Sequence, residues 1–201
     1  GIALNDSESQ GVFWVNTPDL ASSIQTIQVQ RGVGTSTNGP GAFGATVSVH
    51  TDGLSQDPYA EAMISAGSFG SQRYTFKGGT GLLKDRWSFD GRVSKITSDG
   101  YLDRATSDLT SFYLSGGYYG KKTIVKAIMF GGHEKTYQAW YGVDAATMAV
   151  DRRYNYAGAI YDEAGNVSRY YDNEVDDYKQ DHYQLHISQR ISELWNATVS
   201  L

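Results

Sequence analysis

Two histidines are the first residues whose types and spacing could bind a metal ion. His182 and His186 are four residues apart, the spacing that brings two imidazoles to one face of a helix in zinc sites. The segment 181–188, however, alternates apolar with polar residues, which predicts a strand. On a strand the two residues would lie about 13 Å apart at ~3.3 Å per residue, too far to share one ion. We therefore predict no metal site at this position.

A second candidate is an acidic group that could bind calcium, formed by Asp172, Glu174, Asp176 and Asp177. It lacks the spaced Asp-x-Asp-x-Asn-Gly order of a calcium loop, so a solvated acidic loop is the better interpretation. The sequence also contains no serine-nucleophile motif, phosphate loop or dinucleotide fingerprint. We predict that the protein is not an enzyme, with no catalytic residue, no metal and no cofactor.

The composition of the chain further narrows the classes of function and fold. The net charge is -5 and no Lys/Arg cluster occurs along the chain, so a nucleic-acid partner is not expected. The 23 Gly and 15 Tyr favour strands and turns over helices. Mean hydropathy is -0.43, and no run approaches the ~18 apolar residues of a membrane helix. A closed barrel of strands is then the remaining way to cross a lipid bilayer.

The elements of the chain fall into two parts. Before about Asp52, short strands at 23–31 and 45–51 are separated by Gly- and Ser-rich loops. From Tyr59 onward the alternating segments are longer, as in 87–95, where one face is apolar or small and the other is polar. Similar strands are predicted at 74–82, 112–118, 123–131, 181–188 and 195–201. In 123–131, Lys126 shares a face with apolar residues, an exception to the pattern.

Short and long connections alternate between these segments. Tight turns are predicted at 83–86, 120–122 and 191–194, and long connections near 97–108 and 136–179. Membrane barrels have short periplasmic turns and long external loops, although the connection at 69–72 is short where a long one is expected. A soluble antiparallel sandwich also alternates, but strands of roughly 9 to 11 residues favour a membrane crossing.

The segment from Ile24 to Thr51 contains the most specific motif. A strand leads to Arg31-Gly32, a small-residue loop contains Asn38-Gly39, and the run Gly41-Ala42-Phe43-Gly44 opens a second strand. This ordered string closely resembles the end of the plug domain of TonB-dependent receptors. The motifs TYQAWYGV, YDEAGN and YYDNE resemble a long outer loop of Bacteroidetes members of that family.

The resemblance implies an all-β fold that is part of a large antiparallel transmembrane β-barrel, about 22-stranded, with an internal plug domain. Residues 1–55 would be the C-terminal part of the plug, and 56–201 the first seven or so barrel strands with a long outer loop near 136–179. Because the chain opens at GIALND and ends inside the strand WNATVSL, we expect a fragment whose sheet needs the remaining strands.

The implied function is TonB-dependent active import of a scarce nutrient, such as a siderophore, haem or cobalamin, across the bacterial outer membrane. The implied partners are TonB, through a segment outside this chain, the nutrient ligand, outer-membrane lipid and, as a candidate, a surface lipoprotein. A passive porin or a barrel adhesin is the alternative, followed by a soluble β-rich binding protein. A porin has no need of the Ile24–Thr51 motif.

The resemblance also assigns candidate site residues. At the plug apex, facing the external vestibule, they are Asn5, Asp6, Glu8, Gln10, Phe13 and Trp14. In the outer loop, Tyr137, Trp140 and Tyr141 could stack on a flat or amphipathic ligand, and Arg31 could pair with a barrel carboxylate. The alternatives are turn formation and core packing for the apex, self-packing for the loop, and a purely structural salt bridge for Arg31. The two histidines would face the lumen.

Overall fold

Antiparallel strands dominate the computed structural model of this chain, which describes residues 2–6, 8–9, 11–33 and 44–201. The strands are β1 (Ile24–Arg31), β2 (Ala45–Thr51), β3 (Pro58–Ala66), β4 (Gln72–Thr80), β5 (Trp87–Ser98), β6 (Ser107–Tyr119), β7 (Thr123–Tyr137), β8 (Ala159–Tyr161), β9 (Val167–Tyr170), β10 (Val175–Arg190) and β11 (Asn196–Ser200). Every strand pair in these ranges is antiparallel, so the all-β prediction is confirmed.

Helical structure is sparse in the described ranges. Two 3₁₀ helices, Trp14–Asn16 and Leu20–Ser23, precede β1, and one short helix, α1 (Ala145–Val150), lies between β7 and β8. None of these helices is long and apolar enough to cross a membrane.

A seven-stranded sheet forms the larger part of the fold, in the order β11-β10-β7-β6-β5-β4-β3. Consecutive strands are neighbours except at β7 and β10, where the β8–β9 hairpin and α1 are inserted between two paired strands. The sheet is open within the described residues, and β1 and β2 form a separate two-stranded sheet.

Several strands are longer than the sequence predicts. The β7–β10 ladder runs from Thr123↔Gln189 to Tyr137↔Val175, so the long connection is 138–174 rather than 136–179. The connection predicted at 97–108 shortens in the same way to 99–106. The backbone ladder continues past the apolar alternation into polar residues, which the pattern assigned to loops.

The short connection between β3 and β4 has a local cause. Phe69 and Gly70 both have left-handed φ values, 58° and 62°, as in the primed turns that join adjacent antiparallel strands within two residues. Phe69 is held by an edge contact with the ring of Tyr101, with 5.5 Å between centroids. The turn therefore lies beside the 99–106 connection, at the end of the sheet where the longer connections are.

The sheet buries its polar face. We call the face that packs against residues before β3 the inner face. On β5 the inner residues Ser88 and Arg92 are 0% and 3% exposed, whereas the outward Trp87 and Val93 are 46% and 55% exposed. The polar face of this sheet is therefore the buried one, whereas in a soluble sheet the apolar face packs on the core.

A small apolar cluster joins the N-terminal residues to the inner face. Leu20 packs with Tyr113 of β6 and with Ile128 and Phe130 of β7. This contact explains why apolar residues of β7 share a face with Lys126, since that face receives both Leu20 and polar N-terminal groups.

An apolar band crosses the outer face. On β4 to β7, cross-strand rows from Phe76–Val93–Phe112 to Trp87–Tyr118–Val125 contain aliphatic, aromatic or small residues and Thr80. On β10 the first of these rows continues to Asp181. At the end with the longer connections, the band is bordered by the polar row Tyr74, Lys95, Thr110, His133 and Lys179. From Trp87 to Val93 the band spans about 20 Å along β5 at ~3.3 Å per residue, somewhat less than the ~25 Å apolar band of membrane barrels.

Candidate functional site

The contact between the N-terminal residues and the inner face centres on Asp19. Its carboxylate lies 3.0 Å from the guanidinium of Arg73 and 3.1 Å from that of Arg92, and the Ser94 hydroxyl also donates to it. The side chains of Asp19 and Arg92 are only 7% and 2% exposed. The pair is therefore removed from water and depends on its partners for charge compensation.

Further hydrogen bonds hold the Arg92 guanidinium. Its Nε donates to the Ser23 hydroxyl at 2.7 Å, and its Nη1 donates to the Ser111 hydroxyl of β6 at 3.0 Å. Arg92 thus links the 3₁₀ helix Leu20–Ser23 to two strands of the sheet. Buried charges of this kind are retained where hydrogen bonds satisfy them from several sides.

A second polar contact lies where the chain enters β3. Asp52 pairs with Lys77 of β4 at 3.0 Å, and its carbonyl oxygen accepts from Lys126 at 3.4 Å. The Ser55 N–H donates to Asp90 at 3.0 Å. These contacts fix the segment between β2 and β3 against the inner face.

Two glycines of the sheet allow the N-terminal residues to approach closely. A Cβ at Gly117 would overlap the side chain of Leu54, and one at Gly132 would lie 2.6 Å from Pro18. Any larger residue at either position would displace the packed segment.

Arg31, the predicted plug–barrel contact, ends β1 opposite Ala45 and is exposed. Its side chain forms none of the ion pairs found among the described residues, so its role stays a prediction. The motif residues 34–43 lie outside the described ranges. The contacts to the sheet come instead from Asp19 and Asp52, which sequence reasoning did not select.

The predicted apex residues precede the first 3₁₀ helix. Asp6 accepts from the backbone N–H groups of Glu8 (3.0 Å) and Ser9 (2.8 Å), and the Ser9 bonds lower the pKa of its carboxyl below the ordinary value. Asp6 therefore forms a turn, as the alternative interpretation held. Asn5 has an interaction partner, and Glu8 is exposed. Gln10 lies outside the described residues.

The two aromatic apex candidates are open to solvent. Phe13 and Trp14 are 55% and 50% exposed, and the 3₁₀ helix Trp14–Asn16 lies against β7 and β10. Core packing therefore does not account for these rings in the described structure. Their role in ligand binding remains a prediction.

The outer-loop aromatics divide into a structural residue and an exposed group. Tyr137 is buried, and its hydroxyl lies within hydrogen-bond distance of the carbonyls of Ala157 (3.2 Å) and Tyr171 (2.7 Å). By contrast, Trp140 is 74% exposed and lies edge-on to Tyr141. Tyr141 stacks on Tyr156 with 5.2 Å between centroids. We call Trp140, Tyr141 and Tyr156 the aromatic platform.

Three polar residues that sequence reasoning missed fix the long loops to each other. The Asn155 amide donates to the carbonyls of Asp103 (2.9 Å) and Gln138 (3.0 Å). Arg153 pairs with Asp103 at 3.5 Å, and the Arg104 guanidinium lies 3.4 Å from the centroid of the Tyr170 ring. No local sequence signal marks these residues, because their partners are distant in the sequence and most belong to a different connection.

Replacing Asn155 with alanine should release the 138–174 connection. The change removes two donors and one acceptor, since Asn155 also accepts from the Ala157 N–H at 3.0 Å, and each buried backbone group left unpaired costs roughly 1–3 kcal/mol. We expect faster amide exchange and faster proteolysis throughout 138–174.

The matched control for this variant is Asp144→Ala. It removes the N-cap bonds from the Thr147 N–H (2.8 Å) and the Thr147 hydroxyl (3.0 Å) and should loosen α1 by about 1 kcal/mol. Equal protection of residues 138–174 in the Asn155 variant and the wild type would contradict the role of Asn155.

The histidines and acidic residues do not assemble a metal site. His182 and His186 lie on β10, where His182 stacks on Phe130 (4.6 Å) and His186 contacts the Ser200 hydroxyl (2.9 Å). Asp176 and Asp177 belong to β10 rather than to a loop, a correction caused by the longer ladder. Within the described ranges no group of three or more His, Cys, Asp or Glu could hold an ion.

Glu134 is a buried carboxylate that sequence reasoning also missed. It is 0% exposed on the inner face of β7, and neither carboxylate oxygen has a hydrogen-bond partner among the described residues. The 3₁₀ helix Trp14–Asn16 packs against the same strand.

Comparisons with known proteins identify similar folds but no similar sequences. No protein-family model matches the chain, and no curated protein matches it. A structure of P. aeruginosa FpvA bound to a heterologous pyoverdine and iron matches 89% of this chain with a TM-score of 0.68 and 12% identity. A structure of FpvAI with pyocin S2 matches the same share, with a TM-score of 0.67 and 12% identity. The chain spans only 23% and 24% of those two chains, and it therefore shares the fold of about a quarter of FpvA.

Proposed function

We propose that this chain is part of a TonB-dependent receptor of the outer membrane that imports a scarce nutrient. The N-terminal residues would be the end of the plug, and the seven-stranded sheet would be the first part of the barrel wall. The sequence resemblance and the fold shared with FpvA support this proposal. The site geometry supports binding and transport rather than catalysis.

The observation that carries the proposal is the reversed polarity of the sheet. Its polar inner face is covered by ion-paired N-terminal residues, and its outer face presents an apolar band that no described residue covers. A soluble binding protein would expose a contiguous apolar surface of this kind only at a cost in solubility. A lipid bilayer removes that cost.

The N-terminal contact also bears on the porin and adhesin alternatives. Asp19 reaches across the inner face to β4 and β5, and Asp52 reaches β4. In a closed barrel these residues would occupy the lumen. An open diffusion pore has no use for such a contact, so the observation favours a gated importer.

The aromatic platform supports a ligand with a flat or amphipathic face. Trp140 and Tyr141 are exposed on a loop whose base is fixed by Asn155 and Tyr137, so the rings would need little ordering on binding. Siderophores, haem and cobalamin all remain candidates for the transported compound.

Energy-dependent uptake tests the proposal. The complete receptor would be expressed in a strain lacking other receptors, and the uptake of ferric siderophores, haem and cobalamin would be measured with and without TonB. We expect one compound to accumulate only when both the receptor and TonB are present. Uptake that persists without TonB would instead support a passive porin.

Removing the plug from the complete receptor should convert it into a leaky channel. Because the inner face is polar, the emptied lumen would admit water and solutes. We expect greater sensitivity to a large antibiotic such as vancomycin and loss of TonB-dependent accumulation. An unchanged permeability barrier in a correctly inserted variant would contradict the assignment of residues 1–55 to a plug.

A further inference from the structure

A basic rim lies at the end of the sheet that has the short turns. Three turns separate β4 from β5, β6 from β7, and β10 from β11. The backbone N–H of Tyr119 donates to the backbone carbonyl of Arg86 at 2.7 Å, and that of Arg190 donates to the backbone carbonyl of Lys122 at 2.7 Å. Neighbouring turns are therefore in contact. The basic rim consists of Lys84, Arg86, Lys121, Lys122 and Arg190, and its acidic neighbours are Asp57, Asp85 and Glu193.

The basic rim differs from the opposite end of the sheet in its charge pairing. There, each lysine of the outer face has a carboxylate partner: Lys95 pairs with Asp108, Lys135 with Asp177 at 3.8 Å, and Lys179 with Asp181 at 3.8 Å. The five rim side chains are exposed and form none of the ion pairs or side-chain hydrogen bonds of the described residues. The rim therefore offers unneutralised positive charge to an anionic group.

An aromatic pair forms the edge of the apolar band nearest to the basic rim. The rings of Trp87 and Tyr118 lie 4.8 Å apart, and Phe89 stacks parallel to Trp87 at 6.4 Å. Trp and Tyr occupy this position at membrane–water interfaces, where the ring edge is wet and the ring body is apolar. The basic rim would then lie at headgroup level.

A groove in the apolar band continues from this aromatic pair. The groove is shallow and largely open to the outside: the cross-strand pair Gly78↔Gly91 forms its floor, Phe76, Phe89, Val93 and Leu114 border it, and its volume is about 470 Å³. Gly91 lies five residues beyond Arg86, or about 17 Å at ~3.3 Å per residue. That length is close to one leaflet of a hydrocarbon core about 30 Å thick.

We propose that the basic rim and this groove together bind one anionic phospholipid of the periplasmic leaflet. Its phosphate would lie among Arg86, Lys121, Lys122 and Arg190, and one acyl chain would pass the Trp87–Tyr118 pair to end in the Gly78–Gly91 groove. Clusters of Lys and Arg at the edge of an apolar surface recognise anionic headgroups in this way. The inference rests on the proposed function for the membrane orientation, because short turns face the periplasm in such barrels.

Native mass spectrometry of the complete receptor tests the headgroup contact. The purified protein would be mixed with phosphatidylglycerol or phosphatidylethanolamine of equal chain length. We expect a preference for phosphatidylglycerol that falls about 25-fold in Lys121→Gln/Lys122→Gln, from roughly fivefold per lysine. The control Lys135→Gln/Lys179→Gln makes the same charge change at the opposite end and should keep the preference. Equal retention of both lipids by the wild type would overturn the proposal.

A second variant tests the acyl chain. Gly91→Val fills the groove, and its Cβ would meet the flexible Leu114 side chain at 3.1 Å and the Tyr113 carbonyl at an ordinary contact distance of 3.8 Å. We expect loss of the preference for dipalmitoyl over dioctanoyl phosphatidylglycerol, while Ala127→Val, on the same face but outside the groove, retains it. A receptor that imports its nutrient without any lipid preference would refute this inference alone, whereas absence of the protein from the outer membrane would refute the proposed function.

Discussion

Asp19→Ala should destabilise the packing of the N-terminal residues on the sheet by about 3–5 kcal/mol, the cost of leaving a buried ion without its partner. Arg92 is 2% exposed and cannot regain water without movement of the Leu20–Ser23 helix. Arg73 is 33% exposed and would rehydrate more readily. In the complete receptor we therefore expect faster amide exchange in β1 and β2 and a measurable leak conductance in planar bilayers.

Two controls separate charge from shape and from surface effects. Asp19→Asn keeps the size of the side chain, so an effect close to that of alanine would assign the loss to the missing charge. Asp108→Ala breaks the exposed pair with Lys95 and should cost no more than about 1 kcal/mol.

Adding Arg92→Leu to Asp19→Ala should restore part of the stability, because the unpaired cation is removed. Unchanged exchange in Asp19→Ala would contradict the buried-pair argument.

The alternation in 87–95 was sufficient to predict the two faces of β5. Trp87, Phe89 and Val93 lie outward, and Ser88 and Arg92 lie inward, because the side-chain period of a strand is fixed by backbone geometry. Alternation alone could not decide which face is buried. The contacts of the N-terminal residues settle that point for this sheet.

Strand ends were predicted less well than strand positions. The β7–β10 ladder continues through Glu134, beyond the predicted strand 123–131, and through Asp177, where the hydropathy pattern indicated a loop. Backbone hydrogen bonds extend a ladder wherever two strands remain adjacent, whatever the polarity of their side chains. Apolar alternation therefore marks the part of each strand inside the apolar band rather than the whole strand.

The residues of the candidate site were likewise predicted only in part. Aromatic residues in the long loop were identified from their type, but only the structure separates the buried Tyr137 from the exposed Trp140. Asp19 and Arg92 are 73 positions apart, and nothing local marks either as part of a pair. Long-range polar contacts of this kind depend on how the elements pack, which a single sequence does not encode in any local pattern.

Leu114→Arg should impair insertion and folding in lipid by about 2–4 kcal/mol, the cost of arginine on the lipid face near the bilayer midplane of a barrel. Leu114 is 49% exposed on the outer face of β6, and its cross-strand neighbours are Gly91 and Met129. In the complete receptor, the shift would be measured as the free energy of unfolding in lipid vesicles titrated with guanidinium.

Thr110→Arg is the matched control, on the same strand and face but in the polar row beside Lys95. There the cost should fall to about 0–1 kcal/mol, because the side chain can reach the headgroups. If the apolar band faced water instead, both substitutions would remain within about 0.5 kcal/mol, and the Leu114 variant would be more soluble than the wild type. A depth-dependent difference between the two variants therefore separates a membrane wall from a soluble sheet with an exposed apolar face.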